Sequence, residues 1–256
     1  MELSITELDL NGLVEDASIL IVGKRRSGKS TWARYITTCL NMPRVVVFAG
    51  TKETQNAWRK VVPPLFVHGK SIRQLRAIKD YQERSVARYD GAAIPRSRKL
   101  LVVIDDCSSD RKFMNDELFL DLQSNSRHYG MCIITTAQSL AQIKSENRSQ
   151  MDYVGMLFTS NLKTVEKIHA EYCNIVNKST FIQIMRNCTR NKGLLWIDNT
   201  VAPESVVECC YYKQITDLNF EPGGASWFRT FSESHYYEGG CDPRPTITFQ
   251  PKRKLD

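Results

Sequence analysis

Short, continuous apolar runs alternate along the chain with stretches in which apolar residues recur every three or four positions. Ile19-Leu-Ile-Val22, Arg44-Val-Val-Val-Phe48, Lys99-Leu-Leu-Val-Val-Ile104, the run opened by Met131-Cys-Ile-Ile134 and Tyr153-Val-Gly-Met-Leu-Phe158 are the runs. They are rich in β-branched residues and do not alternate with polar ones, the pattern of strands covered on both faces. Between them, Trp32, Tyr35, Ile36, Cys39 and Leu40 fall at helical spacing, and Pro43 ends that helix. Helices are likewise predicted over 70–89 and over 111–129, where Phe113, Met114, Leu118 and Leu122 face inward and Gly130 supplies the stop. Leu162, Val165, Ile168 and Tyr172 mark another helix. Phe181, Ile184, Met185 and Cys188 mark one more, capped by Ser179 or Thr180. Gly193–Ile197 and the stretch from Val206 through Tyr212 read as two further strands.

Residues 1–16 read as a lead-in or edge strand carrying Ile5, Leu8, Leu10 and Leu13. Residues 51–69 read as a short helix, a turn and a short strand, and 139–152 as a helix or loop. Strands alternating with helices predict an α/β fold: a three-layer sandwich around a largely parallel sheet. From about residue 219 Pro222-Gly-Gly224, Gly239-Gly240, Pro243, Pro245 and Pro251 break the pattern. The expectation is a main domain over 1–218 and an irregular appendage over 219–256 with a frayed basic end at Lys252-Arg253-Lys254.

The first strand runs into Gly23-Lys24-Arg25-Arg26-Ser27-Gly28-Lys29-Ser30-Thr31. Gly-x-x-x-x-Gly-Lys-Ser between a strand and a helix is the phosphate-binding loop known as Walker A. Its glycines let backbone N–H groups turn toward phosphate oxygens, Lys29 reaches the β- and γ-phosphates, and Ser30 ligates Mg²⁺. Thr31 opens the helix whose N-terminal dipole favours the same anion. The Lys99–Ile104 strand ends in Asp105-Asp106, a Walker B pattern. Asp105 would hold Mg²⁺, and Asp106 stands where a carboxylate polarises the attacking water. Gln138, at the tip of the Met131 strand, is a candidate γ-phosphate sensor. Arg127 and Arg148 are candidates for an arginine that completes a neighbouring subunit's site, with Arg25 and Arg26 as weaker ones.

Composition adds three things. The net charge is +7, and residues 70–99 hold nine Lys/Arg against Asp80, Glu83 and Asp90. At 100° per residue Lys70, Arg73, Arg76, Arg84 and Arg88 share one arc, with Asp80 among them; Ile72, Leu75, Ile78, Val86 and Tyr89 lie opposite. That arc is either a solvated face or a surface for a polyanion. Eight cysteines without a C-x-x-C pair point to reduced, intracellular thiols. A metal cluster of Cys209, Cys210, His235 and Cys241 matches no ligand spacing. No apolar run is long enough to span a membrane, and the N-terminus lacks the basic start and apolar core of a secretory signal.

A GTPase reading fails because Asn177-Lys-Ser-Thr180 lacks the aspartate of N-K-x-D. A small-molecule kinase would need its basic lid elsewhere than before Walker B. The acid pair, Gln138 and the basic helix fit an ATPase acting on nucleic acid. The ordered set Gly23–Ser30, Val102-Val-Ile-Asp-Asp106, Ser126-Arg-His-Tyr-Gly130, Thr135-Thr-Ala-Gln138 and Asn147-Arg-Ser-Gln-Met-Asp152 resembles the poxvirus-type genome-packaging ATPases of nucleocytoplasmic large DNA viruses. Within the FtsK–HerA superfamily, the iridovirus-like branch is the one it resembles, over residues 17–200. The resemblance implies ATP and Mg²⁺ as cofactors and Lys29, Ser30, Asp105, Asp106 and Gln138 as the site. It further implies a homo-oligomeric ring that drives double-stranded DNA into a preformed capsid, with capsid or portal-vertex proteins as partners. The setting it implies is the host cytoplasm at the assembly site, or the virion. Many superfamily members carry Glu where this chain has Asp106. The alternative functions are an ATP-dependent capsid- or DNA-bound scaffold with little turnover, or a P-loop small-molecule kinase.

Overall fold

Five apolar runs become the centre of one nine-stranded sheet. The structure is a computed structural model and describes residues 5–89 and 92–236. Asp90, Cys241, the glycines and prolines after 238 and the basic end at 252–254 lie outside the described residues.

In chain order the elements are β1 (Thr6–Glu7), β2 (Ser18–Val22), α1 (Lys29–Leu40), β3 (Val45–Ala49), α2 (Lys52–Trp58), β4 (Val67–His68), α3 (Ile72–Val86) and β5 (Leu100–Asp105). They continue with α4 (Arg111–Met114), α5 (Glu117–Asn125), β6 (Met131–Ala137), α6 (Ser145–Arg148), β7 (Tyr153–Met156), α7 (Leu162–Tyr172) and α8 (Lys178–Cys188). The last are β8 (Leu194–Asp198), α9 (Val206–Cys209), β9 (Cys210–Lys213) and α10 (Ser226–His235). The sheet order is β1-β9-β8-β7-β2-β6-β5-β3-β4. β8 runs antiparallel to β7 and β9; every other pairing is parallel. Thus β6 sits between the Walker A strand β2 and the Walker B strand β5, as an additional strand separating them.

The twofold period of a strand divides its residues between two cores. Leu20, Val22, Val102, Ile104 and Ile133 face one layer, with Phe119, Leu122, Val165, Phe181 and Met185 from α5, α7 and α8. Ile19, Ile21, Leu101, Val103 and Ile134 face the other, against Trp32, Ile36 and Leu40 of α1 and Trp58 of α2. Helix α1 starts after Gly28 in a left-handed conformation (φ 101°) and stops at Asn41, also left-handed, just before Pro43. Ser71 caps α3 by accepting the Gln74 N–H, and buried Gln82 bonds the carbonyls of Arg98 and Tyr129, pinning the helix to the sheet.

Four expectations needed correction. The helix over 111–129 is α4, α5 and a 3-10 turn, because Asp116 accepts the Leu118 N–H and caps a second start. Asn177, not Ser179 or Thr180, caps α8. Val206–Cys209 is a helical turn that precedes β9. The stretch after 219 holds α10, whose Phe228 stacks on Phe66 with ring centroids 3.9 Å apart. Backbone bonds from Gly223 to Val61 and from Ala225 to Pro43 fasten its approach, and the Leu65 N–H donates to Ser232 Oγ.

Candidate nucleotide site

Because β2, β5, β6 and β7 are parallel, their C-terminal ends open on the same edge, and the loop 23–30 curls there. The Gly23 N–H donates to Ala137 O, which ties the loop to β6. A Cβ on Gly23 would stand 2.5 Å from Ser27 Oγ and 2.9 Å from Leu157 Cβ, so glycine is required by close packing at that point. Arg26 is left-handed (φ 64°), and Ser27 Oγ is buried without a protein partner among the described residues. Lys29 Nζ donates to the carbonyls of Gly23 (2.8 Å) and Lys24 (3.0 Å), folded over its own loop. Burial pulls the Lys29 ammonium below its ordinary pKa, opposed by the charges of Asp105 and Asp106. Lys24, Arg25 and Arg26 are exposed around the loop, and Thr31 lies behind it in α1.

Asp105 is the most heavily bonded side chain here, and it is fully buried. Its Oδ1 accepts from Ser30 Oγ (3.1 Å) and Thr136 Oγ1 (2.8 Å); its Oδ2 accepts from Trp58 Nε1 (2.9 Å). The register Ile104↔Thr135 puts Thr136 beside Asp105. Thr136 Oγ1 also accepts the Asp106 N–H at 3.1 Å. Asp106 is left-handed (φ 56°), a conformation costly for a residue with a Cβ. Gly50 makes it possible: a Cβ at Gly50 would lie 1.8 Å from Asp106 O. Half-buried Asp106 thus stands at the strand end beside Thr136, and Gln138 is exposed one residue past β6.

Trp58 and Thr136 had no assigned role in the sequence. Ser30 and Asp105 offer only oxygen donors, 3.1 Å apart, the chemistry a hard divalent cation takes. With a phosphate loop, a lysine and a carboxylate carried on a left-handed residue on one edge, the arrangement can hold a nucleoside triphosphate and place a water at its terminal phosphate.

The arginines divide. Arg148 is buried, and its guanidinium bonds Glu171 through Nε (2.7 Å) and Nη2 (2.9 Å) and the carbonyls of Leu140 and Ile143 through Nη1. Four of its five N–H donors are engaged within the fold, so it is a structural clamp and not a free finger. Arg127 is exposed in the turn before β6. It therefore lies at the edge of the sheet opposite the phosphate loop.

On α3 and the 3-10 turn that follows it, Arg73, Arg76, Arg84 and Arg88 are exposed. Lys70 pairs with Asp110 (3.6 Å), Arg76 approaches Asp116 (4.0 Å), and Arg88 bonds Tyr89 Oη. Arg73 and Arg84 make no ion pair with a described residue. The arc is a real exposed face, partly neutralised at its N-terminal half. Cys209 and Cys210 converge with Cys173, Sγ atoms 3.6–4.0 Å from Cys210, inside the apolar core; His235 belongs to a different region and Cys241 is outside the described residues. No helix among the described residues is long and apolar enough to cross a membrane.

The Poxvirus A32 protein family matches residues 7–221. Uncharacterized protein 015R of Frog virus 3 (isolate Goorha) is 27% identical over 237 residues, covering 92% of this chain and 70% of its own length. Uncharacterized protein 075L of Invertebrate iridescent virus 6 is 25% identical over 210 residues, covering 80% of each. Among solved structures, the genome packaging NTPase B204 from Sulfolobus turreted icosahedral virus 2, in complex with ATP-gammaS, superposes with a TM-score of 0.57. Its identity is 12%, over 79% of this chain and 98% of that one, so this likeness speaks for the fold.

Proposed function

The chain belongs to the Poxvirus A32 protein family, and on that footing we propose that it is an ATP-hydrolysing engine of viral genome packaging, which moves double-stranded DNA into a preformed capsid as a homo-oligomeric ring. The observation that carries the hydrolytic part is the convergence on Asp105 of Ser30, Thr136 and Trp58 beside a strained Asp106. A backbone strained in this way beside the loop is the kind of outlier that clusters at functional sites.

In this reading Lys29 and the loop N–H groups bind the phosphates, and Ser30 and Asp105 would hold Mg²⁺, which would supply charge neutralisation at the phosphates. Asp106 orients water directly or through a second water, since its side chain is one methylene shorter than Glu. Gln138 senses the γ-phosphate. An arginine from the neighbouring subunit completes the site; Arg127 reaches it where the strand-start edge of one subunit meets the loop edge of the next. Arg73 and Arg84, with Lys70, Arg76 and Arg88, face DNA phosphates. Residues 1–218 form the ATPase domain, and 219–256 are an appendage that meets capsid or portal partners. The chain works in the host cytoplasm at the assembly site or in the virion.

The likeness in fold to a genome packaging NTPase and the viral relatives support this reading. The test is the ATPase rate with and without double-stranded DNA, alongside mass in solution, for the natural chain and Lys29→Ala. DNA-stimulated turnover lost in Lys29→Ala supports the motor. Tight ATP binding with negligible turnover and ATP-dependent ring size makes the chain a scaffold instead. Charge reversal at Arg73 and Arg84 weakens DNA binding and flattens its salt dependence; unchanged binding returns α3 to a solvated face.

A further inference from the structure

We propose that the cavity between the phosphate loop and the turn joining α8 to β8 holds the nucleoside end of the nucleotide, with Phe158 as the surface on which the base stacks. This rests on the reading of the loop as a triphosphate site. The polarity comes from the sheet. Ser30, Asp105 and Asp106 lie on the β6–β5 side of β2, which fixes where the terminal phosphate points. The nucleoside must then leave on the other side, where β7 is β2's neighbour.

Three observations meet on that side. First, the Leu157 N–H donates to Val22 O (2.8 Å), so the chain leaving β7 passes beside the loop and delivers Phe158 to it. Phe158 is 43% exposed, and the Lys24 ammonium stands 5.3 Å from its ring centroid. Secondly, a cavity of about 520 Å³ opens there, lined by Lys24, Arg26 and Ser27 of the loop, Phe158, Arg186 and residues 189–192. That is the size of a small-ligand site. Five of its lining residues are cationic and none is acidic, which suits an anionic ligand with an aromatic end. Thirdly, the far wall is built under strain. Asn191 (φ 51°) and Lys192 (φ 63°) are consecutive left-handed residues, neither of them glycine. A Cβ on the next residue, Gly193, would meet Cys188 O at 2.3 Å.

The strained turn is fastened to the helix that carries Lys29 and Ser30. Trp32 Nε1 of α1, itself buried, donates to Lys192 O at 3.0 Å. A backbone held this way beside a cavity is the usual setting of a ligand clamp. Among the described residues no carboxylate lines the cavity to read a base edge, and an aromatic face accepts any base. The site therefore discriminates little between ATP and GTP.

The experiment measures binding of Mg-ATP, Mg-GTP and inorganic tripolyphosphate to the natural chain, Phe158→Ala, Phe158→Trp and Lys29→Ala. Phe158→Ala is expected to weaken ATP and GTP about tenfold while leaving tripolyphosphate unchanged. Phe158→Trp retains ATP affinity, and its indole emission changes on adding ATP but not tripolyphosphate. Phe158→Ala that binds ATP as the natural chain does, or that loses tripolyphosphate equally, overturns the stacking site. A Lys29→Ala variant that still binds ATP and tripolyphosphate normally overturns the triphosphate reading beneath it, so the two failures are distinct.

Discussion

Trp58 donates its indole N–H to Oδ2 of Asp105 at 2.9 Å, and both side chains are fully buried. A carboxylate at zero exposure needs donors on both oxygens, and Ser30 and Thr136 supply only the other one. Trp58 thus fixes the plane of the group proposed to hold Mg²⁺. Trp58→Phe keeps most of the apolar volume and removes the donor. Its unfolding free energy in urea should fall by about 1–3 kcal/mol, the cost of an orphaned buried acceptor. The Mg²⁺ concentration for half-maximal hydrolysis should rise several-fold. A variant with both quantities unchanged would remove Trp58 from the site.

Thr136 joins the two acids: it donates to Asp105 and accepts from the Asp106 N–H. Thr136→Val is nearly isosteric and breaks both bonds at once. Turnover at saturating ATP should drop about tenfold or more, some ~1.4 kcal/mol of barrier, with ATP affinity little changed. Thr136→Ser should recover most of the rate. Equal loss in Val and Ser variants would point to packing by the methyl group instead of the hydroxyl.

Asp106 and Gly50 are a matched pair, the first left-handed and the second unable to carry a Cβ. Asp106→Gly relieves the strain and should raise stability by about 0.5 kcal/mol, after the extra unfolded-state freedom of glycine is set against it, while hydrolysis is lost. Asp106→Asn, tolerant of the same backbone, should bind ATP and not hydrolyse it. Gly50→Ala should lose about 1–3 kcal/mol or more, because the atom it strikes is backbone. Thermal melting should therefore rank Asp106→Gly above the natural chain and Gly50→Ala below it; any other order contradicts the strain.

Arg148 should behave as a clamp. Losing its bidentate contact with Glu171 and two carbonyl bonds should cost Arg148→Ala about 3 kcal/mol. In mixtures, an arginine that acts in trans supplies activity to a partner that lacks its own. Arg148→Ala mixed with Lys29→Ala should restore nothing beyond dilution, whereas a variant of the trans-acting arginine should complement. Complementation by Arg148→Ala would reinstate it as a finger.

What the sequence disclosed and what it withheld follow from the range of the physics involved. β2, β5 and the start of α1 were legible because a buried parallel strand is a continuous apolar run and because Gly28, Lys29 and Ser30 are adjacent in the chain. Thr136 was not, since its meeting with Asp105 depends on the pairing register of β5 with β6, residues far apart in sequence. Trp58 ends the short helix α2, and nothing local in the sequence shows that its N–H turns inward to Asp105. The cap of α8 was missed because Asn177, Ser179 and Thr180 are all good caps within one turn. At Val206–Cys209 a single helical turn is too short for a 3.6 period to register against two valines. The prolines and glycines around α10 hide a helix whose place is set by Phe66, just before β4 and far from Phe228 in the chain, so no pattern within the stretch reveals it.

His68 gives a pH dependence of stability. It sits half-buried in β4 with its ring 5.5 Å from Phe48, and burial, helped by the charge of Arg59, lowers its pKa from 6.5 to about 4. The folded state therefore favours the neutral imidazole, and the unfolded chain binds the extra proton between those values. The associated stability is fully present above pH 6.5 and is lost as pH falls toward 4, a total of up to about 3 kcal/mol. His68→Gln lacks that titration. Unfolding free energies measured from pH 7 to 4 should fall more steeply for the natural chain than for His68→Gln, by a slope approaching one proton near pH 5. Parallel curves would show that His68 keeps an ordinary pKa in the folded protein.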